Sequence, residues 1–177
     1  AFGFIKRLLG LNSSIPGNMP IDVILLSRND SDTGLRVMNS IECYGLPIAR
    51  AAFLRGGDPF RYIDKFNACL FLSADAKNVE EAVVRGLPAG RVLASTYVDD
   101  PMDQGLRIAF DFDGVLSDDE AERIYQIEGI EKFQDSEVKK ALIPHNPGPL
   151  KRLLEEIGRI HKIEREKEER DRAYKAA

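Results

Sequence analysis

The chain has 177 residues, 44% hydrophobic and 31% charged, which suits one globular domain with its own core and excludes a disordered or fibrous polypeptide. Its net charge of −4, with no basic stripe, excludes a nucleic-acid surface, and no apolar run approaches a membrane span. Cys43 and Cys69 stand apart from each other and from both histidines, so no metal-ligand spacing arises. They read as buried, inert thiols in a reducing compartment, and the cytoplasm is the expected location.

Phe2, Ile5, Leu8 and Leu9 predict a short amphipathic helix ended by Gly10, followed by a Ser-, Pro- and Gly-rich loop over 12–20. Ile21–Leu26 is nearly all apolar, as a strand covered on both faces should be, and it ends on Ser27-Arg28-Asn29. A polar loop opens a helix with Leu35, Met38 and Ile41 on one face, closed by Gly45. A second strand is expected over Ile48–Leu54. Asp58-Pro59 then caps and starts a helix carrying Phe60, Ile63 and Phe66, with Lys65 on another face.

The third strand, Ala68–Leu72, ends Ser73-Ala74-Asp75. Asn78 is expected to cap the next helix, which Gly86 ends. Arg91–Ala94 reads as a fourth strand, and an acidic connector over 95–104 leads to a fifth. This alternation predicts a doubly wound, mostly parallel α/β sheet with helices on both faces. Beyond Leu116 the texture becomes helical. A helix is expected over Asp118–Glu128, and 130–146 is mixed. A stiff Pro144–Pro149 connector then precedes an amphipathic helix from Leu150 to Ile163. Its apolar stripe would serve its own sheet or a homo-oligomer. Its tail, Glu164–Arg172, is nine charged residues in a row and reads as a solvated helix end.

The fifth strand carries the chemistry. An apolar run from Leu106 breaks on Asp111 and Asp113, and Gly114 and an acidic helix entry follow. Alternation along a strand points both carboxylates the same way. The carboxyl edge of an open α/β sheet is where ligands bind. Two such carboxylates repel unless a cation lies between them, and a small set of hard oxygens suits Mg2+. A helix cap is the commoner reading of an isolated Asp-x-Asp. A Ca2+ loop is excluded, because Val115 and Leu116 stand where a ligand and a glycine are needed. The polar loop at the end of the first strand is a second ligand position, where Arg28, Asn29, Thr33 and Arg36 suit phosphate or base.

The string Arg107-Ile-Ala-Phe-Asp-Phe-Asp-Gly-Val-Leu-Ser-Asp-Asp-Glu-Ala-Glu-Arg-Ile-Tyr-Gln126 resembles the cytosolic type I 5'-nucleotidases, within the haloacid-dehalogenase-type phosphotransferases. So does Leu25-Leu-Ser-Arg-Asn-Asp-Ser-Asp-Thr-Gly-Leu-Arg-Val-Met-Asn-Ser-Ile41, and the likeness runs from about Phe2 to about His161. The resemblance implies a magnesium-dependent hydrolysis of nucleoside monophosphates, AMP above all. Asp111 would attack phosphorus and form an aspartyl-phosphate. Asp113 would protonate the leaving oxygen and then activate water. Mg2+ would lie on the Asp111 carboxylate and the Asp113 main-chain carbonyl. The segment 117–147 falls where the superfamily inserts a cap, with Phe133, His145 and Asn146 as candidates for base selection.

The superfamily's other motifs follow the first one along the chain, and about sixty residues remain after Asp111. Two arrangements are expected from this. Either the chain is a piece of a longer enzyme, or the segment before Asp111 supplies equivalents in permuted order. In the second, Ser27 would bind phosphate oxygen, Lys65 would neutralise charge and Asp75 would reach the metal. The alternative to an enzyme is a nucleotide-binding or assembly module of the same fold with an incomplete motif set.

Overall fold

The computed structural model describes residues 2–14, 21–96, 98–100 and 102–176. Length alone predicts one domain, whereas the contacts divide the chain into two compact units interleaved in sequence. The first is Ala1–Ala68, Val92–Leu106 and Arg159–Ala177, and the second is Cys69–Arg91 and Arg107–Gly158.

In the first unit, helix α1 (Phe2–Gly10) precedes strand β1 (Ile24–Ser27), helix α2 (Ser31–Cys43), strand β2 (Arg50–Phe53) and the single turn α3 (Phe60–Ile63). β1 and β2 are parallel, with Ile24 opposite Arg50 and Ser27 opposite Phe53. The core is Leu9, Ile41 and Ile48, closed by Ile5, Val23, Leu25, Val37, Met38 and Leu46. Asp30 caps α2 by accepting from the Thr33 amide at 2.9 Å. Hydrogen bonding from Thr33, first its amide and then its hydroxyl, holds the Asp30 carboxyl below the ordinary value.

The buried face of α2 differs from the expected one. Leu35 is 63% exposed, and Gly34 and Ile41 are buried. The cause is a close approach: a Cβ on Gly34 would meet the Phe53 ring at 2.8 Å. The helix rests on β2 at its glycine, so positions 34, 37, 38 and 41 turn inward. Gly34→Ala is therefore expected to lower stability by about 1–3 kcal/mol through overpacking. Urea unfolding checks this, and an unchanged midpoint would contradict it. Cys43 is exposed rather than buried, since it lies about 200° around the helix from Ile41.

α3 is shorter than expected. Asp58 accepts from the Phe60 amide at 2.9 Å, and Phe60 and Ile63 are buried. Phe66 lies in the following turn, which reaches a positive φ at Asn67. Arg7 ties α1 to the acidic connector, pairing with Asp99 at 2.7 Å and donating to the Asp103 carbonyl.

In the second unit, β3 (Phe71–Ser73) and β4 (Ala89–Arg91) form another parallel pair, with helix α4 (Ala76–Val84) between them in sequence. β4 starts two residues earlier than expected. Asp75, not Asn78, caps α4: its carboxylate accepts from the Lys77 amide at 2.9 Å, and Asn78 falls inside the helix. Helices α5 (Glu120–Glu128) and α6 (Ile130–Lys139) pack on each other, turning at Gly129. Helix α7 (Lys151–Ala176) belongs to the second unit as far as Gly158 and to the first from Arg159. Among the described residues no helix is long and apolar enough to cross a membrane.

The protein is thus α/β, and its described strands form two parallel pairs, one in each unit. The expected fifth strand is not among them. Residues 107–110 pair with no strand, and Ile108 is 40% exposed. An apolar run becomes a strand only where a neighbour offers a ladder, and no described strand does so here.

Candidate functional site

Asp111 and Asp113 bracket Phe112 at the entry to a wide turn over 112–116. The turn closes by a bond from the Ser117 amide to the Phe112 carbonyl at 3.0 Å. Asp111 and Asp113 are extended, and Gly114 reaches φ +70, a conformation that favours glycine. One Asp111 oxygen accepts from the Phe112 amide at 2.8 Å. Both carboxylates are exposed. Two hard-oxygen groups two residues apart fit Mg2+, which takes one or two carboxylates and completes its shell with waters and phosphate oxygens.

Ser117 is the buried polar side chain of this region, 2% exposed. Its hydroxyl lies 3.2 Å from the Phe112 carbonyl and 3.1 Å from that of Asp118, and it donates to one at a time. Ser117 also bridges Pro147 in antiparallel fashion, so 118–146 leaves and returns at one place. Within that excursion the Phe112 ring meets His145 edge to face at 5.3 Å. His145 lies 3.7 Å from Glu137, and Lys140 bonds Glu120 at 2.7 Å. The bond to Glu120 raises the Lys140 ammonium above its ordinary value. These four residues, with Leu142 and Ile143, line an open groove of about 530 Å3. Phe133 is turned instead onto Tyr125, between α5 and α6.

Asp75 has a local task. Its carboxylate accepts from the Lys77 amide and, at 3.3 Å, from the Asn78 side chain. Among the described residues no three His, Cys, Asp or Glu side chains gather as a metal set. The structure therefore does not bring Asp75 together with Asp111 and Asp113. Asp75 instead caps α4, with one contact to each carboxylate oxygen.

The remaining sequence candidates lie in the first unit. Ser27 ends β1 and accepts from the Asn29 amide at 3.1 Å. Ser73 does the same for Asp75 at the end of β3, at 3.2 Å, so this turn recurs at two strand ends. The loop after Ser27 runs beside the end of β2. Leu54, Arg55 and Gly56 donate to the carbonyls of Ser27, Asn29 and Arg28. The Arg28 guanidinium stands 6.0 Å from the Phe60 ring centre. Thr33 and Arg36 are exposed in the first turns of α2, and Lys65 is exposed in the turn after α3. Ser27, Arg28, Asn29 and Thr33 thus share one loop and helix start, where backbone N–H groups and the helix dipole favour anions.

Sequence reasoning missed Ser117 and Gly148. The trace of the second was its place between Pro147 and Pro149.

The chain matches the 5'-nucleotidase family over residues 1–177. It is 33% identical over 167 residues to the Homo sapiens protein cytosolic 5'-nucleotidase 1B, an alignment covering 92% of this chain and 27% of that relative. The chain therefore spans about a quarter of the length of that relative. No solved structure matches it.

Proposed function

Since the chain belongs to the 5'-nucleotidase family, we propose that it carries the reaction centre for magnesium-dependent hydrolysis of nucleoside 5'-monophosphates, AMP first among them. One observation supports this most: two exposed carboxylates, Asp111 and Asp113, stand at the mouth of one wide turn. A cytosolic location and the doubly wound sheet implied by the resemblance belong to the same reading.

In this reading Asp111 attacks phosphorus. The bond from phosphorus to the nucleoside 5'-oxygen breaks, and Asp113, protonated at that moment, gives its proton to the leaving oxygen. Asp113, now a carboxylate, takes a proton from water. The water oxygen attacks phosphorus, the bond to Asp111 breaks, and phosphate leaves with both side chains restored. Mg2+, held by Asp111 and Asp113, would offset the repulsion between phosphate and carboxylate. In the first unit, Ser27, Arg28, Asn29, Thr33, Arg36 and Lys65 are the groups proposed for substrate binding, on their chemistry.

Phosphate release from AMP by the full chain, with Mg2+ and with a chelator, tests the reading. Release that needs the metal is expected. A folded chain that releases no phosphate from any nucleoside monophosphate would overturn it. The second reading is a nucleotide-binding module of the same family, since among the described residues no three His, Cys, Asp or Glu side chains gather as a metal set. In that case AMP would raise the melting temperature without turnover.

A further inference from the structure

The returning segment of the helical excursion does more than connect it to α7. Gly148 donates to the Leu116 carbonyl at 2.9 Å, and Leu150 to that of Val115 at 3.3 Å. A Cβ on Gly148 would fall on the backbone oxygens of Ser117 and Val115. Neither oxygen can swing aside as a side chain would, so this is backbone laid on backbone. Its glycine is required by space, not by φ.

The contact continues toward the carboxylates. The Asp118 amide donates to the Asn146 carbonyl at 2.9 Å, and the Asn146 side-chain amide donates to the Asp118 carboxylate at 2.9 Å. The Asp118 carbonyl then accepts from the Gly114 amide at 3.2 Å. Gly114 directly follows Asp113. An unbroken chain of hydrogen bonds therefore runs from Asn146 through Asp118 to the residue beside Asp113. Ser117, buried where the two segments meet, holds the other end of the turn at Phe112, between the two carboxylates.

We propose that residues 146–150 form a positioning clasp, in which Asn146, Asp118 and Gly148 fix the turn that sets Asp113 relative to Asp111. The proposal rests on the function proposed above for those two carboxylates. The clasp joins the base of the α5–α6 excursion to the same turn, so a change at the base of the excursion is felt at Asp113. Its residues touch no reacting atom and act through the backbone.

Asn146→Asp tests it with little change of shape. Two carboxylates then face each other where an amide met a carboxylate. Paired with Asp118→Asn, the same substitution restores the complementarity with donor and acceptor exchanged. Two readouts are needed on the full chain: amide hydrogen exchange at Gly114 and Ser117, and AMP hydrolysis with Mg2+. Asn146→Asp is expected to speed exchange at Gly114 and to lower kcat by about tenfold to a hundredfold, as a small misplacement of a reacting group does. KM should change little, and the double variant should recover both readouts. Gly148→Ala should act in the same direction, more severely.

Unchanged exchange at Gly114 in Asn146→Asp would overturn the clasp, whatever the activity. Faster exchange with an unchanged kcat would overturn the positioning role. A wild-type chain that hydrolyses nothing would overturn the proposed function, and the positioning role with it. In that case exchange alone would still report whether the clasp exists.

Discussion

Asp111→Asn is expected to reduce metal-dependent phosphate release from AMP to background. An amide has the size of the carboxylate but neither its charge nor its nucleophilicity, so the covalent step has no attacking atom. The Asp111 oxygen that accepts from the Phe112 amide can be replaced by an amide oxygen, so the turn should keep its shape. Loss of activity would then be chemical rather than structural. An unchanged melting temperature would support that separation, and undiminished turnover by the variant would remove Asp111 from the mechanism.

Asp113→Asn should be nearly as damaging for a different reason. Its amide can neither give nor take the proton, and losing general acid–base catalysis costs about 10²–10⁴-fold. The two steps should respond unequally to the leaving group. A good leaving group, such as 4-nitrophenolate, needs no proton, so Asp111 can still be phosphorylated from 4-nitrophenyl phosphate. Attack by water on the phosphorylated Asp111 still lacks its base. The variant is expected to give a burst of 4-nitrophenol followed by slow turnover. Equal slowing with AMP and with 4-nitrophenyl phosphate, without a burst, would mean that Asp113 has another role.

The elements that periodicity governs were legible in the sequence, and those set by distant backbone were not. β1, α1 and α2 follow from short apolar patterns with end signals, and Asp58 and Gly45 mark ends where expected. The exposure of Leu35 is not legible locally, because the approach of Phe53 to Gly34 decides which helix face is inner, and β2 lies outside the local window. Asn78 suits a cap by residue type, but the extended backbone that a cap needs is at Asp75. The run before Asp111 read as a strand on hydrophobicity, but strand formation is a property of pairs.

The site divides in the same way. Asp111 and Asp113 stand out because carboxylates interrupt an apolar run, a signal carried by a few consecutive residues. The clasp joins positions 114–118 to 146–150 through carbonyls and amides, which every residue possesses, so residue type scarcely records it. Asp75 suits a metal or a cap by residue type, as any strand-end acid does. The Lys77 and Asn78 contacts show a cap.

Trapping tests most directly whether Asp111 is the residue that attacks phosphorus. Asp113→Asn would be mixed with Mg2+ and 4-nitrophenyl phosphate, quenched in acid during the burst, digested and analysed by mass spectrometry. One added phosphoryl group on the peptide containing Asp111, absent when Asp111 is also replaced by Asn, is the predicted result. A burst with no phosphorylated peptide, or a phosphoryl group carried by another residue, would contradict it.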